Sequence, residues 1–297
     1  MNTLKLTGIL PALTTCFDHS GRLYRAKVLH NIERLNAIAL SGYVVCGSTG
    51  ETPFLSAEER LQLIAWVREA SAEKKILIAG TGSESVSEAI RFANQAANIG
   101  YHAVLVLPPF YYRAQMTKPQ IHSLFFRAVA DQSKLPVLLY NIPQVMGYAL
   151  APETVAVLAE HPNIIGMKDS SGDLENLRKI IAAVPEHFQV LSGAGVNFRN
   201  GIELGAKGAI LAIANAIPYA CVTVWEAMRT REHDAARDWA ERMLPAAKAI
   251  AAQYGIPGLK YAMDLNGYYG GPPRLPFTPP GPADRAAIEA AFVDLRS

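Results

Sequence analysis

Eight short apolar runs recur along the chain at intervals of roughly 20 to 35 residues, the spacing of alternating strands and helices. They are "GILPALTTCF" from Gly8, "GYVVCGSTG" from Gly42, "KILIAGTG" from Lys75, "HAVLVLPPF" from His102, "PVLLYNIP" from Pro136, "IIGMKDS" from Ile164, "FQVLSGAG" from Phe188 and "GAILAIAN" from Gly208. Their apolar stretches are continuous rather than alternating, which is the pattern of parallel strands covered on both faces. Polar, helix-periodic segments separate them. The clearest is "SAEERLQLIAWVREASAEKK", where Ser56 and Glu59 form a capping box and Leu61, Ile64, Ala65 and Val67 fall mainly on one face. Thr117 and Gln120 repeat the same start signal. Strand-helix units in this number predict an α/β fold, a (β/α)8 TIM barrel, over residues 1–230. An open doubly wound sheet is the alternative, but no G-x-G-x-x-G follows the first run and no P-loop lysine motif is present. Beyond the last strand the pattern is helical through "EHDAARDWAERMLPAAKAIAAQ" and "GLKYAMDLNGYYGG". Residues 231–297 are therefore expected as a C-terminal helical appendage packed on the barrel or on a neighbouring subunit.

Composition narrows the partners. Among 297 residues, half are hydrophobic and 18% charged, enough for one large core. The net charge of +2 comes from 28 basic and 26 acidic residues scattered along the chain, with no basic block, so nucleic acid is not an expected partner. Cys16, Cys46 and Cys221 are too few and too dispersed for a disulfide framework, and a reducing cytoplasm is the expected compartment. The opening segment is read as a first strand rather than a leader, because Pro11 and two threonines break its apolar run. No apolar stretch approaches the roughly 20 residues of a membrane span.

In such barrels the chemistry sits where strands end, which leaves few candidates. Lys168 closes the sixth run, whereas Lys75 opens the third on the opposite face. A lysine in an apolar run either snorkels to water, finds a partner, or gives up its proton and becomes a nucleophile. Side chains alternate, so Gly166, Lys168 and Ser170 share one face and Met167 and Asp169 the other. Tyr140 closes the fifth run, and adjacent strands lie about 4.8 Å apart, so its hydroxyl can approach the amine; the plainer reading is a packed strand-end tyrosine. Ser48 and Thr49, between glycines in "CGSTGE", offer hydroxyls and backbone N–H groups to an anion, although the bare motif also fits a simple turn. Tyr111 and Tyr112 in "PPFYYR" either pack on the surface or reach toward another subunit. The histidines contain no i, i+4 pair and none closes a strand, which argues against a metal centre. No G-x-S-x-G elbow occurs.

Taken together, "GSTGE", "PPFYY", "YNIP", "GMKDSSGD" and "GLKYAMDLNGYYGGPPR" resemble, in order and spacing, the pyruvate-dependent class I aldolases related to dihydrodipicolinate synthase and N-acetylneuraminate lyase. The resemblance spans nearly the whole chain. It implies that Lys168 forms a Schiff base with the keto carbon of pyruvate and that Tyr140 relays protons with Ser48. Tyr111 matches a tyrosine that a neighbouring subunit contributes to that relay. Ser48 and Thr49 would hold the pyruvate carboxylate, and the carbonyl of Ile210 would help position the intermediate. Such enzymes are usually homotetramers, dimers of dimers, and need no metal or organic cofactor.

Within the family, synthases that make dihydrodipicolinate usually carry an arginine two residues after "YN-x-P", for the carboxylate of the aldehyde partner. Val145 stands there in "YNIPQVMGY". Sialic acid lyases resemble "GYDE" after strand seven, where this chain has "GAGV". "GMKDSSGD" with "YYGGPPR" looks most like 4-hydroxy-2-oxoglutarate and 2-keto-3-deoxy sugar acid aldolases, with a hydroxyl at Ser170 near the substrate and room left by Gly193. The expected function is thus a lyase that cleaves or forms a 4-hydroxy-2-oxo acid through a pyruvate-lysine adduct. The alternatives are 4-hydroxy-tetrahydrodipicolinate synthase, joining pyruvate to aspartate semialdehyde, and a 2-keto-3-deoxy acid dehydratase. From different classes come a keto-acid sensor without catalysis and a phosphate-binding barrel enzyme, although "IANAIP" after strand eight is not a glycine-rich loop. Asn197 and Arg199, after strand seven, are left as candidates for the far end of the substrate.

Overall fold

The computed structural model describes residues 4–295. Eight parallel strands form one sheet: β1 (Gly8–Pro11), β2 (Gly42–Val45), β3 (Ile76–Gly80), β4 (Ala103–Val106), β5 (Val137–Asn141), β6 (Ile164–Asp169), β7 (Gln189–Ser192) and β8 (Gly208–Leu211). β1 pairs with β8 in register, and past its end the parallel bridge Ala12–Val44 joins it to β2 and rounds the sheet into a barrel. A helix follows each strand, from Arg25–Asn36 after β1 to Pro218–Arg229 after β8. The result is the (β/α)8 barrel that the strand pattern predicts.

Alternation along the strands divides the core in two. Leu10, Val44, Ile78, Leu105, Leu138, Tyr140, Leu191 and Ile210 pack with one another along the axis. Ile9, Tyr43, Val45, Leu77, Val104, Leu139, Met167 and Val190 pack outward against the helices. One irregularity sets the facing of the sixth strand. Val137 lies opposite Ile164 but Leu138 lies opposite Gly166, so β6 carries an extra residue at Ile165. This bulge re-aims the strand and places Lys168, rather than Met167, on the same rung as Tyr140.

Two local expectations are corrected. The helix Pro119–Gln132 starts without a side-chain cap; Pro119, with φ preset and no N–H to satisfy, sets its beginning instead of Thr117. In the helix Ala57–Ala70 the buried residues are Leu63, Ile64 and Val67, and Ala65 is exposed. Its capping box, Ser56 with Glu59, is present as expected.

The C-terminal helices His233–Lys248 and Gly255–Leu265 and the segment after them are tied to the barrel through charge. Lys260 Nζ lies 2.5 Å from Glu51 Oε1 with both side chains wholly buried, and it also donates to the Pro272 carbonyl at 3.0 Å. Burial pulls this amine below the ordinary lysine range, and the Glu51 carboxylate opposes the shift. Arg274 donates its backbone N–H to Glu51 Oε2 at 2.8 Å and grips Glu59 through Nη1 and Nη2 at 2.7 and 2.6 Å. The capping-box glutamate therefore also holds the C-terminal segment, and Arg274 keeps its carboxyl below the usual range.

Breaking a buried pair from one side leaves an uncompensated charge, at a typical loss of about 3–5 kcal/mol, whereas replacing both partners is nearly neutral. Lys260→Met is expected to lose that much in urea unfolding, and Lys260→Met with Glu51→Gln to recover most of it. A single variant as stable as the parent protein would show that the pair does not hold the C-terminal region.

Candidate active site

Among the described residues three lysines are buried, and the partner of each separates their roles. Lys75 donates to the carbonyls of Ile38 and Leu40, both at 2.8 Å, at the strand-start end of the barrel. Lys260 has the Glu51 carboxylate. Lys168, 4% exposed, has only the phenol of Tyr140, with Nζ 3.2 Å from the hydroxyl and 4.4 Å from the ring centroid. It is the buried amine left without an anion or a carbonyl.

The register of β5 and β6 holds this contact in place. Tyr140 lies opposite Lys168, and the next rung sets Asn141 opposite Asp169 on the other face. Asn141 Nδ2 donates to Asp169 Oδ1 at 2.5 Å, and Asn141 Oδ1 accepts the Leu150 N–H at 3.0 Å. Ser171 Oγ donates to Asp169 Oδ2 at 2.7 Å. Burial pushes the Asp169 carboxyl up, while the hydrogen bonds from Ser171 and Asn141 pull it down. Across the other edge the Gly193 N–H donates to the Asp169 carbonyl at 2.6 Å. Sequence reasoning missed Asn141 and Asp169 as positioning residues. Their signal was available: each directly follows a site residue, and alternation puts both on the opposite face.

Gly193 abuts the amine. A Cβ there would lie 2.1 Å from Ser170 Oγ, 2.8 Å from Lys168 Cε and 3.0 Å from the Asp169 carbonyl. The Ser170 hydroxyl is itself buried and has no hydrogen-bond partner among the described residues. It is a donor and acceptor left free beside Lys168. Lys168, Tyr140, Ser170 and Gly193 thus form one cluster.

The remaining candidates stand around it. Ser48 and Thr49 occupy the turn Ser48–Gly50 after β2, Ser48 half-buried and Thr49 buried, with no hydrogen bond to Lys168 or Tyr140. The turn is braced from behind, because Thr15 Oγ1 donates to the Gly50 carbonyl at 2.6 Å and Glu51 carries the Lys260 pair. Ile210 lies in β8 with its side chain in the axial core. Tyr111 is 77% exposed, set edge-on to Tyr112 at 5.2 Å, so within one chain it stays outside the cluster. Asn197 donates to the Gly172 carbonyl at 2.8 Å and Arg199 pairs with Glu203 at 3.2 Å. The three cysteines are free and buried, and burial raises each thiol above its ordinary range.

Comparison with known proteins finds relatives over nearly the whole chain. The sequence model of the dihydrodipicolinate synthetase family matches residues 5–293. The 4-hydroxy-tetrahydrodipicolinate synthase of an Exiguobacterium species is 33% identical over 286 residues, covering 96% of this chain and 97% of that one. The enzyme of the same name from Methanosphaerula palustris is 36% identical over 272 residues, 91% and 92% of the two chains. Among solved structures, dihydrodipicolinate synthase of Bacillus anthracis superposes with a TM-score of 0.94 at 26% identity, covering 99% of this chain and 100% of its own. The 4-hydroxy-tetrahydrodipicolinate synthase of Methylacidiphilum fumariolicum does so at 0.92 and 28%, covering 97% and 95%. These names match the synthase alternative more closely than the hydroxy-oxo acid aldolase. No helix among the described residues is long and apolar enough to cross a membrane.

The crowding at position 193 is open to test. Gly193→Ala forces a methyl group against Ser170 Oγ and Lys168 Cε, and such overpacking costs about 1–3 kcal/mol. Urea unfolding of Gly193→Ala is expected to show that loss. Adding Ser170→Ala, which deletes the nearer atom, is expected to return part of it. A Gly193→Ala protein of unchanged stability would mean that the loop yields freely and does not confine the amine.

Proposed function

The chain belongs to the dihydrodipicolinate synthetase family, and from that membership and the geometry at Lys168 we propose a Schiff-base-forming lyase that cleaves or forms a 4-hydroxy-2-oxo acid by way of a pyruvate-lysine adduct. The observation that carries the reading is the buried Lys168 amine, 3.2 Å from the Tyr140 hydroxyl and with no carboxylate or carbonyl among its partners in the described residues. A nucleophilic amine and a proton carrier in contact are what carbonyl addition requires.

In the cleavage direction Lys168 Nζ adds to the C2 ketone, and loss of water leaves an iminium. Tyr140, having given its proton to the departing water, takes the proton of the C4 hydroxyl as the C3–C4 bond breaks. The bonding pair moves into the iminium, giving the enamine of pyruvate and a free aldehyde. Protonation at C3 and hydrolysis release pyruvate and restore the amine. Ser48 and Thr49 hold the C1 carboxylate, with the Ile210 carbonyl beside the intermediate. The unpartnered Ser170 hydroxyl bonds the substrate in the space that Gly193 leaves open. Tyr111, exposed on a single chain, joins the relay of a neighbouring copy in a homotetramer. No cofactor takes part.

A second reading is the condensation that the relatives' names denote, in which the same enamine attacks aspartate semialdehyde; those names favour it. Against it stands Val145, an apolar side chain 42% exposed at the place where such synthases carry a carboxylate-binding arginine.

Pyruvate and borohydride are expected to leave a reduced pyruvyl group on Lys168, detectable by peptide mass spectrometry and lost in Lys168→Ala. Tyr140→Phe is expected to lower kcat by about 10²–10⁴-fold, the usual worth of a positioned acid-base group. Assay of 4-hydroxy-2-oxoglutarate against pyruvate with aspartate semialdehyde decides between cleavage and synthase. A folded protein that binds pyruvate but leaves Lys168 unmodified would defeat the catalytic reading and favour the sensor.

A further inference from the structure

Resting on the pyruvate-lysine chemistry proposed above, we infer that Cys46 is a positioning residue whose left-handed backbone aims the turn Ser48–Gly50 at the carboxylate of the keto acid.

The strand does not run into this turn without a break. Along β2, Val44 packs in the axial core and Val45 in the outer one, so regular alternation would return residue 46 to the axis. Instead Cys46 packs outward like its neighbour, 3% exposed, with Sγ 3.9 Å from the Arg60 carbonyl in the helix Ala57–Ala70. The backbone makes the break, since Cys46 has φ +58°. That region is strained for a residue with a side chain and persists only where the surroundings hold it. Here they do. The buried side chain fixes one end, and beyond it the Cys46–Gly47 peptide crosses the bare Cα of Gly80 in β3. A Cβ at Gly80 would lie 2.2 Å from the Cys46 carbonyl oxygen and 3.0 Å from Gly47 N.

The strain is placed where the turn begins and ends. Among the described residues Cys46, Glu51 and Arg231 are those other than glycine with positive φ. Cys46 and Glu51 bracket the turn and have buried side chains, whereas Arg231 is exposed. Glu51 is held by Lys260. Cys46 is held by packing, and burial pushes its thiol up to about 12, so it stays protonated. Between these brackets the Gly47 carbonyl accepts from the Gly50 N–H at 2.9 Å and from the Thr52 hydroxyl at 2.8 Å. The N–H groups of Ser48 and Thr49 donate to no acceptor among the described residues. A turn with its carbonyl occupied and successive N–H groups open suits an anion. An extended residue 46 would rotate all that follows relative to β2 and turn those donors away.

The test separates backbone from packing by substitution at residue 46. Glycine takes φ +58° freely and alanine takes it as cysteine does, but both lose buried bulk; valine keeps the bulk and, being β-branched, resists that φ. The readout is the concentration of pyruvate that half-saturates borohydride trapping on Lys168, with methyl pyruvate, which has the ketone without the carboxylate charge, as control. Cys46→Val is expected to raise that concentration by about 10- to 100-fold, the worth of hydrogen bonds to a charged group, and to leave methyl pyruvate nearly unchanged. Cys46→Gly and Cys46→Ala should stay close to the parent protein for both ketones. A packing role gives the reverse order, with Cys46→Gly the weakest and Cys46→Val near the parent, and overturns the inference, as does an equal loss for pyruvate and methyl pyruvate. If Cys46→Val does not fold, Gly80→Ala, whose methyl group displaces the same peptide, is read in the same way, and an unchanged half-saturation there overturns the inference. A parent protein that forms no adduct removes the proposed function and this inference together, whereas an adduct whose half-saturation is unchanged in folded Cys46→Val removes only the role of Cys46.

Discussion

An ammonium group cannot be left dry, and the structure meets that constraint in three different ways. Lys75 is answered by two backbone carbonyls and Lys260 by a carboxylate, and in both the amine is tied into the fold. Lys168 is answered by a phenol, which holds the nitrogen without neutralising a charge. The same burial thus finds three different partners, and the role proposed for Lys168 rests on its having the phenol. The packing around Lys168 keeps that amine beside Tyr140, with no ion pair among the described residues.

The means are local and mutually dependent. The bulge at Ile165 shifts β6 so that Lys168 meets Tyr140, and the Asn141–Asp169 pair on the next rung keeps the two strand ends aligned. Asp169 is in turn held through its carbonyl by Gly193, whose missing side chain leaves space for the lysine stem. The turn carrying Ser48 and Thr49 makes no hydrogen bond to Lys168 or Tyr140 among the described residues and is fixed from elsewhere, through Glu51, Lys260 and Arg274. The C-terminal helices are therefore part of the framework of the site. Glu51, with φ +55°, starts a second turn while its carboxylate is held in the interior, an arrangement that depends on residues more than two hundred positions away in sequence.

How much could be seen in the sequence depends on the range of the interactions. Strand positions were legible because a continuous apolar run bounded by Gly and Pro has few other readings. The Lys168–Tyr140 contact was legible because alternation and strand spacing are fixed by backbone geometry. The bulge was not, since one inserted residue leaves the apolar run unbroken. Lys260 looked like an ordinary helical lysine because its partner, Glu51, lies on a different element. Tyr111 shows the opposite limit: its motif was plain, yet one chain leaves it exposed, so any role at the amine requires a second copy.

The same distinction of range explains why kinship identifies half of the reaction more firmly than the other half. The residues proposed to handle the keto acid sit on strands or on a turn braced by buried charge, where register and packing permit little variation. Relatives about one-third identical can retain that half intact. The loops after β4 and β5, which carry Arg113, Val145 and Gly147, lie off the strands, so side chains there can change without disturbing the sheet. Loops of this kind change at little cost to stability, so the choice of aldehyde can diverge while the fold and the lysine chemistry stay fixed. The names carried by relatives therefore bear on the proposed lysine half of the reaction with more force than on the identity of the partner.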